Sequence, residues 1–171
     1  MILVVLSFSG DCMTVKIRLM QKKDLPKLSK IYIDIYNNLQ IGEHWTPASA
    51  EKMLNYWFER QPDLAFVAVD GKEVVGAVAS AIKPWWDGNN LMDGEIFVTP
   101  DYQKKGVGKK LMRALFKKAL KKYKVTMFDA FTYNKTKFPL SWYKSIGFKE
   151  NKELAMIYGN VKEILLKLEK E

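Results

Sequence analysis

The chain has 171 residues, of which 48% are hydrophobic and 27% charged, so it is long enough for one domain with a core and short for two. No apolar run approaches the roughly 20 residues that a membrane-spanning helix needs, and the opening MILVVLSF lacks the basic segment of a signal peptide. The single cysteine excludes an intramolecular disulfide, and we therefore expect a reducing, cytoplasmic location.

The positive charge is concentrated in one segment. The net charge of the chain is +9, but residues 104–124 alone carry nine lysines and Arg113 with no acidic residue among them. The rest of the chain is therefore close to neutral. A segment this basic fits a polyanionic ligand, either a nucleic acid or a small molecule that carries phosphates.

Hydrophobic periodicity predicts a strand and two helices at the start of the chain. Val15–Leu19 alternates as a short strand does. Two amphipathic helices follow, one capped by Asp24 and the other by Thr46 or Ser49.

Turn signals divide the remaining chain into shorter elements. We expect a hairpin around Asp70-Gly71, a strand at Gly94–Val98 and an amphipathic helix from about Val107 to Lys122. These are followed by a strand at 125–133, a short helix at 140–146 that Gly147 ends, and a closing hairpin around Gly159-Asn160. The predicted order is β-α-α-β-β-β-α-β-α-β-β, one α/β domain without repeats.

The loop QKKGVG, Gln103 to Gly108, lies between a predicted strand and the basic helix. Its glycines are too close together for a P-loop, and Leu111 stands where the dinucleotide fingerprint needs a third glycine. Glycine allows close approach of the backbone, and N–H groups at a helix N-terminus point at a common anion. We therefore interpret the loop as a pyrophosphate-binding turn, although a basic surface turn has the same composition.

Two motifs carry a resemblance to a known family. The stretch EIFVTPDYQKKGVGKKLMRALFKKA resembles the acetyl-CoA segment of the GNAT superfamily of N-acetyltransferases, and FTYNKTKFPLSWYKSIGF is similar to that family's Asn…Tyr-x-x-x-Gly-Phe segment. The resemblance implies the GNAT acyl-CoA N-acyltransferase fold. Its central sheet is mixed, mostly antiparallel, with about six or seven strands and about four flanking helices.

The resemblance implies a donor site and an acid. The residues implied to bind acetyl-CoA are Phe97, Val98, Gln103, Lys104, Lys105, Gly106, Val107, Gly108, Lys109, Asn134 and Tyr143. Backbone groups at Phe97 and Val98 would pair with the donor as a sheet edge pairs with a strand. Tyr143 would protonate the departing thiolate, and the segment KTKFPL makes its spacing from Asn134 longer than the family usually has.

The base and the acceptor pocket are less defined. Glu95 and Asp93 alternate with Phe97, so either carboxylate could face the acceptor, and Glu95 is our candidate base. His44 and the loop tryptophans Trp85 and Trp86 are candidate substrate contacts; the tryptophans could equally cover the core, and a lone loop histidine is more often a surface group.

These observations together predict a cytoplasmic N-acetyltransferase that moves an acetyl group from acetyl-CoA to a primary amine of a small molecule, a polyamine or a peptide N-terminus. The alternative is an acyl-CoA-binding module of the same fold without catalysis. We expect no metal, no nucleic acid and no membrane among its ligands, and a homodimer stays open. Residues 13–171 are expected to form the single domain, and residues 1–12 an extension.

Overall fold

A computed structural model of the chain describes residues 14–39, 41–134 and 137–169. The chain divides into two compact units, Met1–Phe131 and Thr132–Glu171. The predicted extension at residues 1–12 lies outside the described residues.

The first unit is built on one sheet with strand order β1-β2-β3-β4-β5. Its strands are β1 Lys16–Leu19, β2 Ala65–Asp70, β3 Glu73–Trp85, β4 Gly88–Val98 and β5 Met127–Asp129. All neighbours are antiparallel except β4 and β5, which are parallel. The predicted hairpin at Asp70-Gly71 is confirmed, because Gly71 takes the left-handed φ of +57° that the turn between β2 and β3 requires.

Four of the five helices in the described residues begin near the positions that the sequence predicts, and the exception is α5. The helices are α1 Leu25–Tyr36, α2 Pro47–Arg60 and α3 Val107–Tyr123 in the first unit, and α4 Leu140–Ser145 and α5 Val161–Leu168 in the second. Thr46 caps α2 by accepting a hydrogen bond from the Ser49 N–H at 3.2 Å. Asp24 does not cap α1 in this way; its carboxylate pairs with the Arg18 guanidinium at 2.7 Å and accepts from the Gln21 N–H.

Helices cover both faces of the sheet. One hydrophobic cluster contains buried side chains of α1 and α2, such as Leu28 and Leu54, together with side chains of β2, β3 and β4. Helix α3 also packs against β2, β3 and β4. Because none of its buried residues belongs to that cluster, α3 lies on the opposite face of the sheet. The stripe is Val107, Leu111, Met112, Leu115 and Ala119, close to the predicted spacing.

The predicted closing hairpin is wrong. The described residues contain five strands, not six or seven, and the stretch after Asn160 is helix α5. The Asn160 side chain accepts hydrogen bonds from the N–H groups of Lys162 and Glu163, as an N-cap does. Val161, Ile164, Leu165 and Leu168 then recur at helical spacing. The Gly-Asn pair is typical of a turn, but here its asparagine caps the start of a helix.

Candidate active site

The glycine loop connects β4 to α3 through a tight turn. Gln103 donates its side-chain N–H to the carbonyl of Val98 at 2.9 Å, and the Thr99 N–H donates to the carbonyl of Val75 at the same distance. Gly106 is the residue before the helix, with a φ of +81° that L side chains rarely adopt. A Cβ at Gly106 would meet no atom within 4 Å, so the backbone borders open space there.

The first turn of α3 presents an anion-binding surface. The first intrahelical hydrogen bond runs from the Lys110 N–H to the carbonyl of Gly106, so the N–H groups of Val107, Gly108 and Lys109 have no acceptor within the helix. The helix dipole adds positive potential at this end. Lys104 and Lys109 are exposed beside it. The turn therefore fits a phosphate or pyrophosphate.

Among the described residues, strand β4 has no strand partner on the β5 side beyond Met92. It pairs with β5 only at Asn90–Met92, and β5 ends at Asp129. Because the Thr99 N–H points at β3 and successive residues alternate, the peptide groups of Phe97 also face β3 while those of Val98 and Ile96 face the other side. The pairing edge predicted at Phe97 and Val98 is therefore supplied by Ile96 and Val98.

A β-bulge marks the point where β4 and β5 part. Ala79 pairs with Glu95 and Ala81 pairs with Met92, so Ser80 alone faces both Asp93 and Gly94. Asp93 and Gly94 have positive φ values of 38° and 119°. The bulge shifts the alternation, and Met92 rather than Asp93 continues the face of Glu95 and Phe97. The prediction that Asp93 shares the face of Glu95 is thus corrected.

Glu95 is largely withdrawn from water. Its Oε2 accepts a hydrogen bond from the Tyr36 hydroxyl at 3.1 Å. Burial, the largest cause, raises the pKa of Glu95 to about 7. The charges of Asp93 and Glu43 act in the same direction, and hydrogen bonds from Tyr36 and Tyr32 act against it. A carboxylate with this pKa can take and release a proton near neutrality.

Aromatic rings form one wall beside Glu95. Tyr32 stacks on Tyr36 at 4.2 Å between ring centroids and meets Trp45 and Phe97 edge to face at 5.1 and 5.3 Å. Trp45 donates its indole N–H to a Glu43 carboxylate oxygen at 2.6 Å. This wall combines apolar surface with carboxylates, which suits the recognition of a cationic amine.

The other predicted acceptor residues, which are Asp93, His44, Trp85 and Trp86, lie in different parts of the fold. Burial raises the pKa of Asp93, while N–H groups of Phe131 and Gly94 donate to its carboxylate and act against that rise. His44 is exposed in the segment that carries Glu43 and Trp45.

The tryptophans lie at a distance from Glu95. Trp85 and Trp86 are 50% and 87% exposed at the β3–β4 turn, so Trp86 does not cover the core. That turn is about 20 Å along β3 from the Ala79–Glu95 pair, at about 3.4 Å per residue.

The second unit holds Asn134 and Tyr143. Asn134 is exposed, and residues 135 and 136 after it lie outside the described part of the chain. Tyr143 lies on α4, where its ring meets Trp142 at 5.0 Å and Phe148 at 5.3 Å edge to face. The helix follows Pro139 and gives way to Gly147 with a φ of +106°, as the sequence predicts.

Comparison with protein families identifies the family of this chain. The model of the acetyltransferase (GNAT) family matches residues 25–148, most of the chain. The chain belongs to the GNAT acetyltransferase family. It is accordingly an acyltransferase, and the match spans the bulge, the glycine loop and Tyr143. No curated protein matches the chain in sequence.

Solved structures share the GNAT fold. An integron cassette protein from the mobile metagenome of V. cholerae is 21% identical with a TM-score of 0.70, over 93% of this chain and 99% of that one. A possible acetyltransferase from Clostridium difficile is 14% identical with a TM-score of 0.71, over 86% and 98%. An aminoglycoside acetyltransferase from an uncultured soil metagenomic sample, in complex with sisomicin, is 19% identical with a TM-score of 0.63, over 86% and 96%. At these identities the likeness establishes the fold.

The glycine loop and the free β4 edge suit the acyl-CoA that GNAT enzymes use. Unpaired N–H groups, exposed lysines and open space at Gly106 are the features a pyrophosphate needs. Tyr32 and Tyr36 of α1, which hydrogen-bond Glu95, are candidate site residues that sequence reasoning missed. They are four residues apart, a spacing that also fits the buried face of an amphipathic helix. Among the helices of the described residues, none is both long and apolar enough to span a membrane.

Proposed function

We propose that this GNAT enzyme moves an acetyl group from acetyl-CoA to a primary amine of a small molecule, a polyamine or a peptide N-terminus. The observation that carries the proposal is Glu95, a half-buried carboxylate with a pKa of about 7, beside an aromatic wall and near the edge of β4 that lacks a strand partner among the described residues. An ordinary glutamate is a weaker base by more than two pKa units. Glu95 is therefore suited to take the proton that an amine must lose before it attacks a thioester.

The donor side rests on the loop and the strand edge. Acetyl-CoA supplies the thioester acyl group. The N–H groups and lysines of 104–109 bind its pyrophosphate, and Gln103 holds the loop against Val98. The Val98 N–H, which faces away from β3, is the donor that we assign to the acyl oxygen.

Residues of the second unit carry roles by the motif they match. We assign Tyr143 as the acid for the leaving thiolate and Asn134 as a contact of the donor. A tyrosine hydroxyl with an ordinary pKa of about 10 is protonated at neutral pH and can donate. In this proposal residues 13–171 act as one catalytic domain.

The acceptor side comprises Glu43 and Asp93 with the aromatic wall, and His44 at its exposed rim. Their negative charge favours a cationic acceptor. Trp85 and Trp86 contact only an acceptor long enough to reach the β3–β4 turn, such as a peptide. The proposal includes no metal, nucleic acid or membrane, allows a homodimer, and sets the enzyme in the cytoplasm.

A thiol-release assay tests the proposal. Acetyl-CoA and a panel of polyamines, aminoglycosides and peptides with free N-termini are incubated with the wild type, Glu95→Gln and Tyr143→Phe. We expect Glu95→Gln to lower kcat/KM by about 10² to 10⁴-fold, and Tyr143→Phe to lower kcat with acetyl-CoA affinity unchanged. Glu59→Gln, on the exposed face of α2, is the matched control.

Three outcomes would contradict parts of the proposal. Full activity of Glu95→Gln would remove Glu95 as the base, and full activity of Tyr143→Phe would remove Tyr143 as the acid. Binding of acetyl-CoA by calorimetry without turnover on the whole panel would instead favour a non-catalytic acyl-CoA-binding module.

A further inference from the structure

Tyr36 connects helix α1 to the candidate base across the sheet. It is the last residue of α1, and its hydroxyl donates to Glu95 Oε2 at 3.1 Å. The two residues are 59 positions apart in the sequence. This contact is therefore produced by the packing of α1 on the face of β3 and β4 that carries Ala79 and Glu95.

The ring of Tyr36 is half-buried and packs against the core cluster. It stacks on Tyr32, which is 2% exposed and meets both Trp45 and Phe97 edge to face. After α1, Asn37 holds the backbone of Trp45 by two hydrogen bonds of 2.8 and 3.0 Å. The stack on Tyr32 restrains the Tyr36 ring, because a change of rotamer would break the stack, and this restraint limits the direction of the hydroxyl.

We propose that Tyr36 is a positioning residue for Glu95: its hydrogen bond to Oε2 orients the carboxylate that takes the proton of the acceptor amine. This inference rests on the proposed role of Glu95 as the base. Tyr32 on the same helix also hydrogen-bonds Glu95. The Tyr36 bond adds a donor fixed by α1 that orients the carboxylate about its terminal torsion, which is otherwise broad. The same bond favours the charged form of Glu95, because a hydroxyl can donate to a carboxylate.

The charged and titratable groups around Glu95 determine how strongly its protonated form is favoured, an effect that the Tyr36 hydrogen bond opposes. Helix α1 contributes Tyr32 and Tyr36, the segment before α2 contributes Glu43, and strand β4 itself contributes Asp93. Strand β3 presents Ala79, which does not titrate. Burial and the two carboxylates favour the protonated form, so loss of the Tyr36 hydroxyl removes part of what opposes them.

Two measurements on Tyr36→Phe test the inference. The pKa of Glu95 is followed by carboxyl ¹³C NMR of glutamate-labelled protein, with the resonance assigned by its absence in Glu95→Gln. We expect Tyr36→Phe to raise this pKa by about one unit. The acid limb of the pH profile of kcat/KM should move up by the same amount, because less of the base is deprotonated at a given pH.

Tyr56→Phe is the matched control. It removes the same hydroxyl from an exposed tyrosine of α2 that accepts from Arg60 rather than contacting Glu95. We expect neither the NMR pKa nor the pH profile to change in this variant. Because Tyr36→Phe keeps the ring and its stack on Tyr32, the fold should be retained, which thermal unfolding checks.

The outcomes separate this inference from the proposed function. An unchanged or lowered Glu95 pKa in Tyr36→Phe would overturn the inference, as would a fall in kcat/KM with an unshifted pH profile, since that indicates a structural role. An active Glu95→Gln would overturn the base role and with it the assignment of Tyr36 as a positioning residue. An inactive Glu95→Gln with an unshifted Tyr36→Phe would overturn the inference alone.

Discussion

Glu95 is held in a position that lowers the stability of the folded protein above neutral pH. The carboxylate is half-buried there and accepts hydrogen bonds from Tyr36, at 3.1 Å, and from Tyr32. Burial without full compensation is common where a group has been placed for chemistry rather than for stability. At the scale of one residue, stability and the proposed catalysis therefore oppose each other.

The pH dependence of unfolding follows from the same residue. The folded-state pKa of about 7 lies above the ordinary value of 4.5, so between these pH values the folded protein keeps a proton that the unfolded chain releases. The contribution of Glu95 to the free energy of unfolding is therefore present below pH 4.5 and is lost as the pH rises through 7. We therefore expect urea unfolding to show that the free energy of unfolding of Glu95→Gln, relative to that of the wild type, is higher at pH 8 than at pH 5 by up to about 3 kcal/mol.

The control for this experiment is Glu59→Gln, which alters a carboxylate that is 60% exposed. We expect its difference from the wild type to be the same at both pH values. If Glu95→Gln behaved in that way too, Glu95 would not be the desolvated group that the structure indicates.

At the scale of elements, the bulge in β4 separates the paired half of the strand from the half with a free edge. Gly94 makes this possible, because a Cβ there would lie 2.1 Å from the carbonyl oxygen of Ala79. The bulge also shifts the alternation by one residue and brings Glu95 onto the face of Phe97 and Met92. The position of Glu95 is therefore a property of the whole strand pair.

A glycine pair in β4 tests the role of the bulge. Gly94→Ala should lower the free energy of unfolding by about 1 to 3 kcal/mol more than Gly88→Ala does, as measured by urea unfolding at one pH. Both glycines have positive φ, +119° and +140°, but a Cβ at Gly88 meets no atom within 4 Å. Equal losses in the two variants would mean that the left-handed backbone alone matters, and not the close approach to Ala79.

At the scale of the whole molecule, the basic surface extends beyond the glycine loop. Helix α3 runs from Val107 to Tyr123 and its charged residues are all basic. At 1.5 Å per residue, Lys121 lies about 18 Å further along the helix than Lys109. The Debye length is about 8 Å at physiological ionic strength, so the two lysines should act very differently on a phosphate at the helix N-terminus.

Two lysine variants measure how far the charge acts. Lys109→Gln should weaken acetyl-CoA binding by about two- to fivefold, whereas Lys121→Gln should leave it nearly unchanged. Calorimetric titration at low and at physiological salt checks this, and the effect of Lys109→Gln should shrink as salt is added. Equal effects of both variants would indicate that net charge, and not proximity to the turn, determines the affinity.

Much of the fold was predictable from the sequence because its signals are local. The boundaries of α2 and α3 follow from a capping residue or a glycine and from the spacing of apolar residues within one helix. The glycine loop is recognisable for the same reason, since its function depends on residues a few positions apart. The prediction of a closing hairpin was wrong because Gly159-Asn160 can form either a turn or the start of a helix, and the apolar periodicity after it favours the helix.

The sequence by itself therefore determined the family, the order of elements up to α4, and the position of the glycine loop, because each is encoded in short stretches of chain. Only the tertiary structure decided the protonation of Glu95, its hydrogen bond from Tyr36, the bulge that reorients Asp93 and the exposure of Trp86. The physical reason is that burial, hydrogen bonding and charge at a site depend on which distant elements pack there. For Glu95 those elements are α1, the segment before α2, and β3.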